Sequence, residues 1–211
     1  MADFSPTRTH ATWKPRVTGE HIPFYRCSEC GNVFVGLDGN VDIAMRSDGE
    51  RSLIAELPYA HVDFKPECHG KPMEKLEVLP SWDLEDKIKL DYTIMGGMNN
   101  NCIQVTWSVK DPECKPRWFA LKTFTGLQMK YVTEKKWPPI VFALADEDAF
   151  AYCDKDPCVE CTFRCKRGQE IYCYVEKLGL LYLPLDRMIA SGSSASFEDL
   201  GIAEERGARA R

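Results

Sequence analysis

Apolar and polar residues alternate along the middle of the chain in short segments separated by turns rich in Gly, Pro, Asn and Asp. A two-residue period places successive side chains on opposite faces of a β-strand. The segments with this pattern, or with a brief apolar run, are KIKLDYTIM, CIQVTWSV, RWFALKTF, QMKYV, IVFALA, EIYCYV and LLYLPL. They predict a mostly β chain that folds as a β-sandwich, and the run GGMNNN at 96–101 predicts a hairpin between the first two strands.

The composition changes along the chain and divides it into four predicted parts. Residues 1–20 are rich in Thr, Pro and basic groups without periodicity, which indicates an N-terminal arm. Residues 21–78 hold the first cysteines and predict a small metal-binding domain, and residues 79–187 hold the predicted sandwich. Residues 188–211 are small, polar and charged, which predicts a flexible tail with one short helix in FEDLGIAEE.

Composition and charge narrow the classes of function. The chain has 211 residues with a formal net charge of −5, so its overall charge gives no reason to expect a nucleic-acid partner. The longest apolar runs, IVFALA and LGLLYLPL, are too short to cross a bilayer, and the opening residues lack the apolar core of a signal peptide. We therefore expect a cytoplasmic protein with no membrane partner, in which the ten cysteines are reduced or bind metal.

Two runs, FYRCSECGNVF and KPECHGKPMEKL, carry the spacing of one metal site. The candidate ligands of this first site are Cys27, Cys30, Cys68 and His69. A CxxC turn supplies two thiolates, and a second pair of ligands from a later turn closes a tetrahedron around zinc or iron. Gly31 and Gly70 follow the two pairs and suit sharp turns. Two alternatives stay open: His61 as the fourth ligand, or three buried thiols beside a surface histidine.

The same runs resemble the desulforedoxin-type knuckle at the front of desulfoferrodoxins, which carries CxxCG followed by CCGxxM. The chain departs from that pattern in two ways: 37 residues separate Cys30 from Cys68, and His69 stands at the position of a fourth cysteine. A four-thiolate iron site transfers one electron, whereas three thiolates and an imidazole more often hold redox-silent zinc. The resemblance therefore implies iron or zinc at the first site. It favours His69 over His61, because adjacent ligands mirror the family's adjacent cysteines.

Later segments resemble superoxide reductase, the partner module of the same family. SVKDPECKPRWFALKTFTG is similar to its HPM…HYI segment, and FALADEDAFAYC to the strand that delivers its iron-ligating cysteine, which implies an immunoglobulin-like sandwich of superoxide reductase type. The family's iron has four histidine ligands and one cysteine. Here Cys153 matches the cysteine, but Asp111, Arg117 and Asp156 stand at histidine positions, and no histidine follows residue 69. We therefore expect superoxide reduction by that mechanism to be absent or very weak. A remnant ion site of Asp111, Asp156 and Cys153 is an alternative that Arg117 would oppose.

A second cysteine cluster lies in AYCDKDPCVECTFRCKRGQEIYCYV. The candidate ligands of this second site are Cys153, Cys158, Cys161 and Cys165. Four thiolates suit zinc or an iron–sulfur cluster, so we predict that this Cys-rich loop (153–173) replaces the histidine iron site. In one alternative CVEC is a redox dithiol whose thiolate is favoured by Arg164 and Lys166. In another these are packing cysteines, which suits Cys173 best.

Together these features predict a metal-binding redox or electron-transfer protein related to desulfoferrodoxin. If the protein is an enzyme, the nearest class is an oxidoreductase of superoxide reductase type, and the sequence assigns no catalytic residue. The first alternative is a non-catalytic binding module or accessory subunit of a larger enzyme, stabilised by zinc, and the second is superoxide reductase itself. The expected partner is a redox protein or a larger enzyme, and a shared sandwich edge makes a homodimer an alternative to a monomer.

Overall fold

The computed structural model describes residues 21–37, 65–96, 101–123, 126–149, 166 and 169–185, with two short paired strands at 45–46 and 54–55. The predicted arm at 1–20, the predicted tail at 188–211 and the four cysteines of the second candidate site lie outside these residues. The division into domains at those boundaries stays a prediction.

The described part of the chain is mostly β-structure. Its strands before residue 81 are β1 Phe24–Arg26, β2 Val33–Val35, β3 Met45–Arg46, β4 Ile54–Ala55, β5 Glu67–Cys68, β6 Lys71–Pro72, β7 Glu74–Lys75 and β8 Val78–Pro80. The strands that follow are β9 Ile88–Met95, β10 Cys102–Val109, β11 Pro116–Lys122, β12 Leu127–Tyr131, β13 Ile140–Ala143, β14 Glu170–Val175 and β15 Gly179–Pro184. Its helical segments are two 3₁₀ turns, Ser81–Leu84 and Pro112–Cys114, and the helix α1 Asp146–Ala149. The seven segments predicted as strands are β9 to β15, so the mostly β prediction is confirmed.

Two sheets pack face to face to form the sandwich. One has the strand order β13-β10-β9 and the other β12-β11-β14-β15-β8, with antiparallel neighbours except for the parallel pair β15 and β8. Successive side chains of a strand point to opposite faces of its sheet, so apolar residues two apart face the core. On β9, for example, Ile88 and Leu90 are buried while Lys89 between them is exposed. The core between the sheets is lined by Tyr92, Ile103, Val105, Phe119, Leu121, Phe142, Ile171, Cys173, Leu181 and Leu183, among others.

Strands β9 and β10 form the predicted hairpin, with Met95 opposite Cys102 at its turn end. Gly96 begins the turn with a φ of 102°, and a Cβ placed there would lie 2.8 Å from the Cβ of Cys102. Only glycine combines that conformation with so close an approach. The prediction that the Gly/Asn run marks a hairpin is therefore confirmed by the pairing.

Side chains of β12 cover the outer edge of β13. The Gln128 side-chain amide donates to the Ala143 carbonyl at 2.7 Å, and the Lys130 ammonium donates to the Val141 carbonyl at 2.5 Å. An open strand edge presents unpaired backbone groups to other chains. These two bonds satisfy carbonyls on that edge and join the two sheets at one side of the sandwich.

A third layer covers the outer face of the five-stranded sheet. The small sheet β2-β1-β7 lies there, and its residue Phe24 stacks on Trp118 with ring centroids 5.3 Å apart. The buried residues of this second core are Ile22, Phe24, Trp118, Ala120, Tyr172, Tyr174 and Leu180. Strand β14 is consequently buried on both faces, which explains why its sequence is a continuous apolar run rather than an alternating one.

A group of charged and polar side chains lies buried at one end of this second core. Lys122 and Glu170 are cross-strand neighbours with an N···O distance of 3.4 Å, and their side chains are only 1% and 12% exposed. The Tyr172 hydroxyl donates to the same carboxylate at 2.5 Å, and His21 lies 3.5 Å from it. Burial raises the pKa of Glu170, but the hydrogen bond with His21, the Lys122 charge and the Tyr172 hydroxyl outweigh it, so the pKa lies below its ordinary value.

Replacing Glu170 with glutamine is expected to destabilise the protein by about 3 kcal/mol at neutral pH, because removing one partner of a buried pair leaves the other charge buried. A carboxyl with a depressed folded pKa stabilises the fold above its ordinary pKa of 4.5 and loses that contribution as the pH falls through the folded pKa. Urea unfolding at several pH values should therefore show the difference between wild type and variant narrowing in acid. Glu176→Gln is the matched control, since that exposed carboxylate pairs with Arg117 at the surface. Equal losses in both variants would contradict the role given to burial.

Candidate metal centre

The first half of the candidate centre is the turn that follows β1. The Cys27 amide donates to the Asn32 carbonyl at 2.9 Å, and the Gly31 amide donates to the Cys27 carbonyl at 3.0 Å. Gly31 has a φ of 73°, a conformation that glycine adopts without a steric penalty. These bonds fold the CxxC segment tightly and bring the Cys27 and Cys30 sulfurs to the same side of the turn.

The second half is a two-residue hairpin turn between β5 and β6. Cys68 pairs with Lys71 across it, and His69 and Gly70 occupy the turn with φ values of 56° and 68°. A hairpin of this kind favours Asn-Gly, because both central residues must take positive φ. Within the described part of the chain, His69 is the one non-glycine residue with positive φ. Histidine, like asparagine, is among the non-glycine residues enriched at positive φ, so the turn accommodates His69.

The two turns bring all four predicted ligands of the first site together. The ligand atoms of Cys27, Cys30, Cys68 and His69 all lie within 4.8 Å of one another, and the Cys30 and Cys68 sulfurs are 3.6 Å apart. Two sulfurs bound to one tetrahedral zinc at 2.3 Å would be about 3.8 Å apart. The group could therefore hold a metal ion with little rearrangement. The rival ligand His61 lies outside the described residues.

The three thiols lie so close together that the ionisation of one of them disfavours the ionisation of the others. Hydrogen bonding to the Cys30 backbone amide lowers the pKa of Cys27. The side-chain hydrogen bond with Cys30, together with Cys27 and burial, raises the pKa of Cys68 to about 11. Three thiolates so close together repel one another, and a divalent cation between them relieves that repulsion. The chemistry of the donor set thus favours a soft or borderline cation such as zinc or iron.

The centre has a buried side and an exposed side. Cys27 is 4% exposed, whereas Cys30 is exposed, Cys68 is intermediate and the His69 side chain is 51% exposed. Glu29 sits at the exposed side, with one carboxylate oxygen 2.5 Å from the Lys71 ammonium and the other 4.0 Å from Nδ1 of His69. The sequence interpretation did not single out Glu29 as a neighbour of the ligands. Its position between Cys27 and Cys30 in the CxxC motif is the signal that could have identified it.

The superoxide reductase-like positions that the structure describes do not converge on an ion site. Asp111 caps the 3₁₀ turn that follows it, accepting from the Glu113 amide at 3.0 Å and from the Cys114 thiol at 3.5 Å. Arg117 forms an exposed ion pair with Glu176. The side chains of Asp111 and Arg117 thus bond to different partners within the chain. Cys153 and Asp156, the other members of the proposed remnant site, lie outside the described residues.

The second candidate site also lies outside the described residues, but residues 166 and 169–173 at the C-terminal end of the Cys-rich loop are described. Cys173 is fully buried in the sandwich core, where burial raises its pKa well above the ordinary value, consistent with a packing cysteine. Lys166 is fully buried, and its ammonium donates to the Ala149 carbonyl at 2.6 Å. The alternative in which Lys166 favours a CVEC thiolate stays a prediction, because Cys158 and Cys161 lie outside the described residues. Gln169 is buried next to it and donates to the Asp148 carbonyl at 3.1 Å.

Comparisons with known proteins leave the family unassigned. No protein-family profile matches the sequence, and no curated protein matches it. Among solved structures, the superoxide reductase from Treponema pallidum aligns over 79% of this chain and 99% of its own, with 17% identity and a TM-score of 0.47. A TM-score below 0.5 at this identity does not by itself establish a common fold or family.

Among the described residues, no helix is both long enough and apolar enough to cross a lipid bilayer.

Proposed function

We propose that this protein binds one zinc ion at Cys27, Cys30, Cys68 and His69, and that the ion serves a structural role. The convergence of the four ligand atoms within 4.8 Å carries the proposal. Three thiolates and one imidazole form a closed tetrahedral set, which is typical of structural zinc and leaves no open position for a substrate. Zinc also has no redox chemistry of its own, so the site would act through the fold it stabilises.

The proposed ion joins the turn that follows β1, which belongs to the packed sheet β2-β1-β7, to a second turn that has little else to hold it. The second turn lies in the separate pair β5 and β6, whose strands are two residues long, and an isolated pair of that length is not stable in water. Phe24, three residues before Cys27, lies in the second core. A metal bound to both turns would thus stabilise the layer that covers the five-stranded sheet, which suits a binding module or an accessory subunit.

The identity of the fourth ligand gives a direct test. His69→Asn keeps a residue that accepts positive φ but removes the imidazole. We expect this variant to lose one zinc per chain during dialysis against a competing chelator, whereas wild type keeps it, as measured by elemental analysis. His61→Asn is the matched control and should keep its zinc. The reverse result would move the fourth ligand to His61, and a wild-type chain that holds no zinc at this centre would refute the proposal.

Electron transfer through iron is the second candidate function, and the exposed side of the centre is the observation that favours it. Cys30 and His69 lie at the surface, where a redox partner can approach the metal closely. An iron–thiolate centre would colour the anaerobically purified protein, and a reductant would bleach that colour. A colourless protein containing zinc alone supports the structural role. An electron-transfer centre in the Cys-rich loop, and superoxide reductase activity, stay predictions from the sequence.

A further inference from the structure

We infer that Cys30 and Cys68 form an oxidisable pair, which a hydroperoxide converts to a disulfide with loss of the bound metal. This inference rests on the proposed zinc site and adds a mode of regulation to it. It makes the centre a structural element that an oxidant switches off, and a thiol reductant restores.

The distance between the two sulfurs is the first observation. Sγ of Cys30 lies 3.6 Å from Sγ of Cys68, although 37 residues separate them along the chain. A disulfide bond is about 2.0 Å long, so the sulfurs need to approach by about 1.6 Å. Rotation about the Cα–Cβ bond moves each sulfur, so the two side chains can share this approach.

Accessibility to solvent favours a disulfide between Cys30 and Cys68 over one between Cys27 and Cys30. Cys30 is exposed and Cys68 is partly exposed, whereas Cys27 is 4% exposed. The Cys27 backbone is held on both sides, since its amide donates to Asn32 and its carbonyl accepts from Gly31. Oxidation of a thiolate requires contact with the oxidant, so the exposed Cys30 reacts first. Cys68 is the partner that reaches it from the other turn.

The chemistry balances with a hydroperoxide as the only oxidant. The Cys30 thiolate attacks the peroxide oxygen, the O–O bond breaks, and with one proton the products are a sulfenic acid and one water, or one alcohol for an organic peroxide. The Cys68 thiolate then attacks the Cys30 sulfur, the S–O bond breaks, and a second proton carries the oxygen away as water. Two electrons pass from the two sulfurs to the peroxide. Cys27 and His69 are left as two ligands, too few to hold zinc in a four-coordinate site.

The disulfide itself would keep the two turns joined. Oxidised protein should therefore lose its zinc without losing the layer that contains Phe24. Its thermal midpoint is expected to lie between that of the zinc-bound protein and that of the reduced, metal-free protein. This ordering separates a switch from simple oxidative unfolding.

The test uses the full-length, zinc-loaded chain and hydrogen peroxide. Zinc release is followed with a chromophoric chelator, and disulfides are mapped by tryptic digestion without reduction. Trypsin places Cys27 and Cys30 on the peptide 27–46 and Cys68 on the peptide 52–75. A Cys30–Cys68 disulfide joins the two peptides and leaves Cys27 open to an alkylating label, whereas a Cys27–Cys30 disulfide stays within the first peptide. We expect the joined peptide, and about one zinc released for each disulfide formed, since two remaining ligands do not retain the ion.

The outcomes separate this inference from the proposed function. A chain that never holds zinc at these four residues defeats both. A chain that holds zinc, but forms the disulfide between Cys27 and Cys30 or keeps its metal after Cys30 is oxidised, defeats only the inference. Cys102→Ser removes a partly exposed thiol outside the centre and is expected to change neither the joined peptide nor the zinc released. Because the map reads each peptide separately, oxidation of other cysteines does not obscure the result.

Discussion

Removing the metal from the protein is expected to lower its thermal midpoint by about 5–11 °C. Zinc present at a hundredfold its dissociation constant contributes about 2.7 kcal/mol to stability, and each 1 kcal/mol shifts the midpoint by about 2–4 °C in a chain of this size. The expected cause is structural: β5 and β6 form a separate pair of two-residue strands, and the ion joins their turn to the covering layer. Scanning calorimetry of the reduced protein, with and without a strong chelator, measures the shift.

Replacing Cys27 with serine is expected to lower the thermal midpoint of the protein in the same way, without a chelator. We expect its zinc affinity to fall by at least about a hundredfold, because even groups that only support metal ligands are worth about 10–100-fold. Cys114→Ser is a suitable comparison, since Cys114 is equally buried but lies in the sandwich core. That variant should keep its zinc. If metal-free and zinc-loaded protein melt at the same temperature, the ion has no structural role and the first proposal fails.

Phe24→Ala is expected to lower the free energy of unfolding by about 3–5 kcal/mol, the usual cost of truncating a buried aromatic residue. Phe24 is fully buried, and its ring packs 5.3 Å from both Trp118 and Tyr172. The substitution therefore opens a cavity between the covering layer and the five-stranded sheet. Urea unfolding, with the fluorescence of Trp118 among the signals, measures the loss.

Phe34→Ala provides the matched control for that loss. Phe34 lies on β2 of the same small sheet, but 43% of its surface is exposed. Its truncation is expected to cost about 1 kcal/mol or less, because partly exposed residues away from the core lose little on substitution. Similar losses for Phe24 and Phe34 would show that the covering layer is not packed on the sheet in solution.

The sequence predicted the strands β9, β10 and β13 well because each strand of this three-stranded sheet has one face in the core and one in water. On β9 and β10 this produces a strict alternation that is readable without any structure. The four residues of the first centre were readable for a different reason. Each pair of ligands sits in a local turn marked by a following glycine, Gly31 or Gly70, so the geometry of each half is encoded within a few residues.

Other features could not be read along the chain, because they depend on contacts between distant segments. Ile22 and Phe24 lie in a segment too short to show a period, yet they cover Tyr172, which is about 150 residues away. The apolar run of β14 gave no sign of which layers bury it. The hydrogen bond from the buried Lys166 ammonium to the Ala149 carbonyl, 17 residues away, likewise has no counterpart in any local pattern.

The sequence by itself determined the strand-rich character of the chain and the identity of four candidate ligands, since both depend on residue periods and local turns. Only the tertiary structure decided that the ligand-bearing turns belong to a layer packed on the sandwich. It also decided that Cys27 is enclosed while Cys30 and Cys68 face one another near the surface. Burial and the distance between remote residues arise from packing, and no local pattern of residues specifies them.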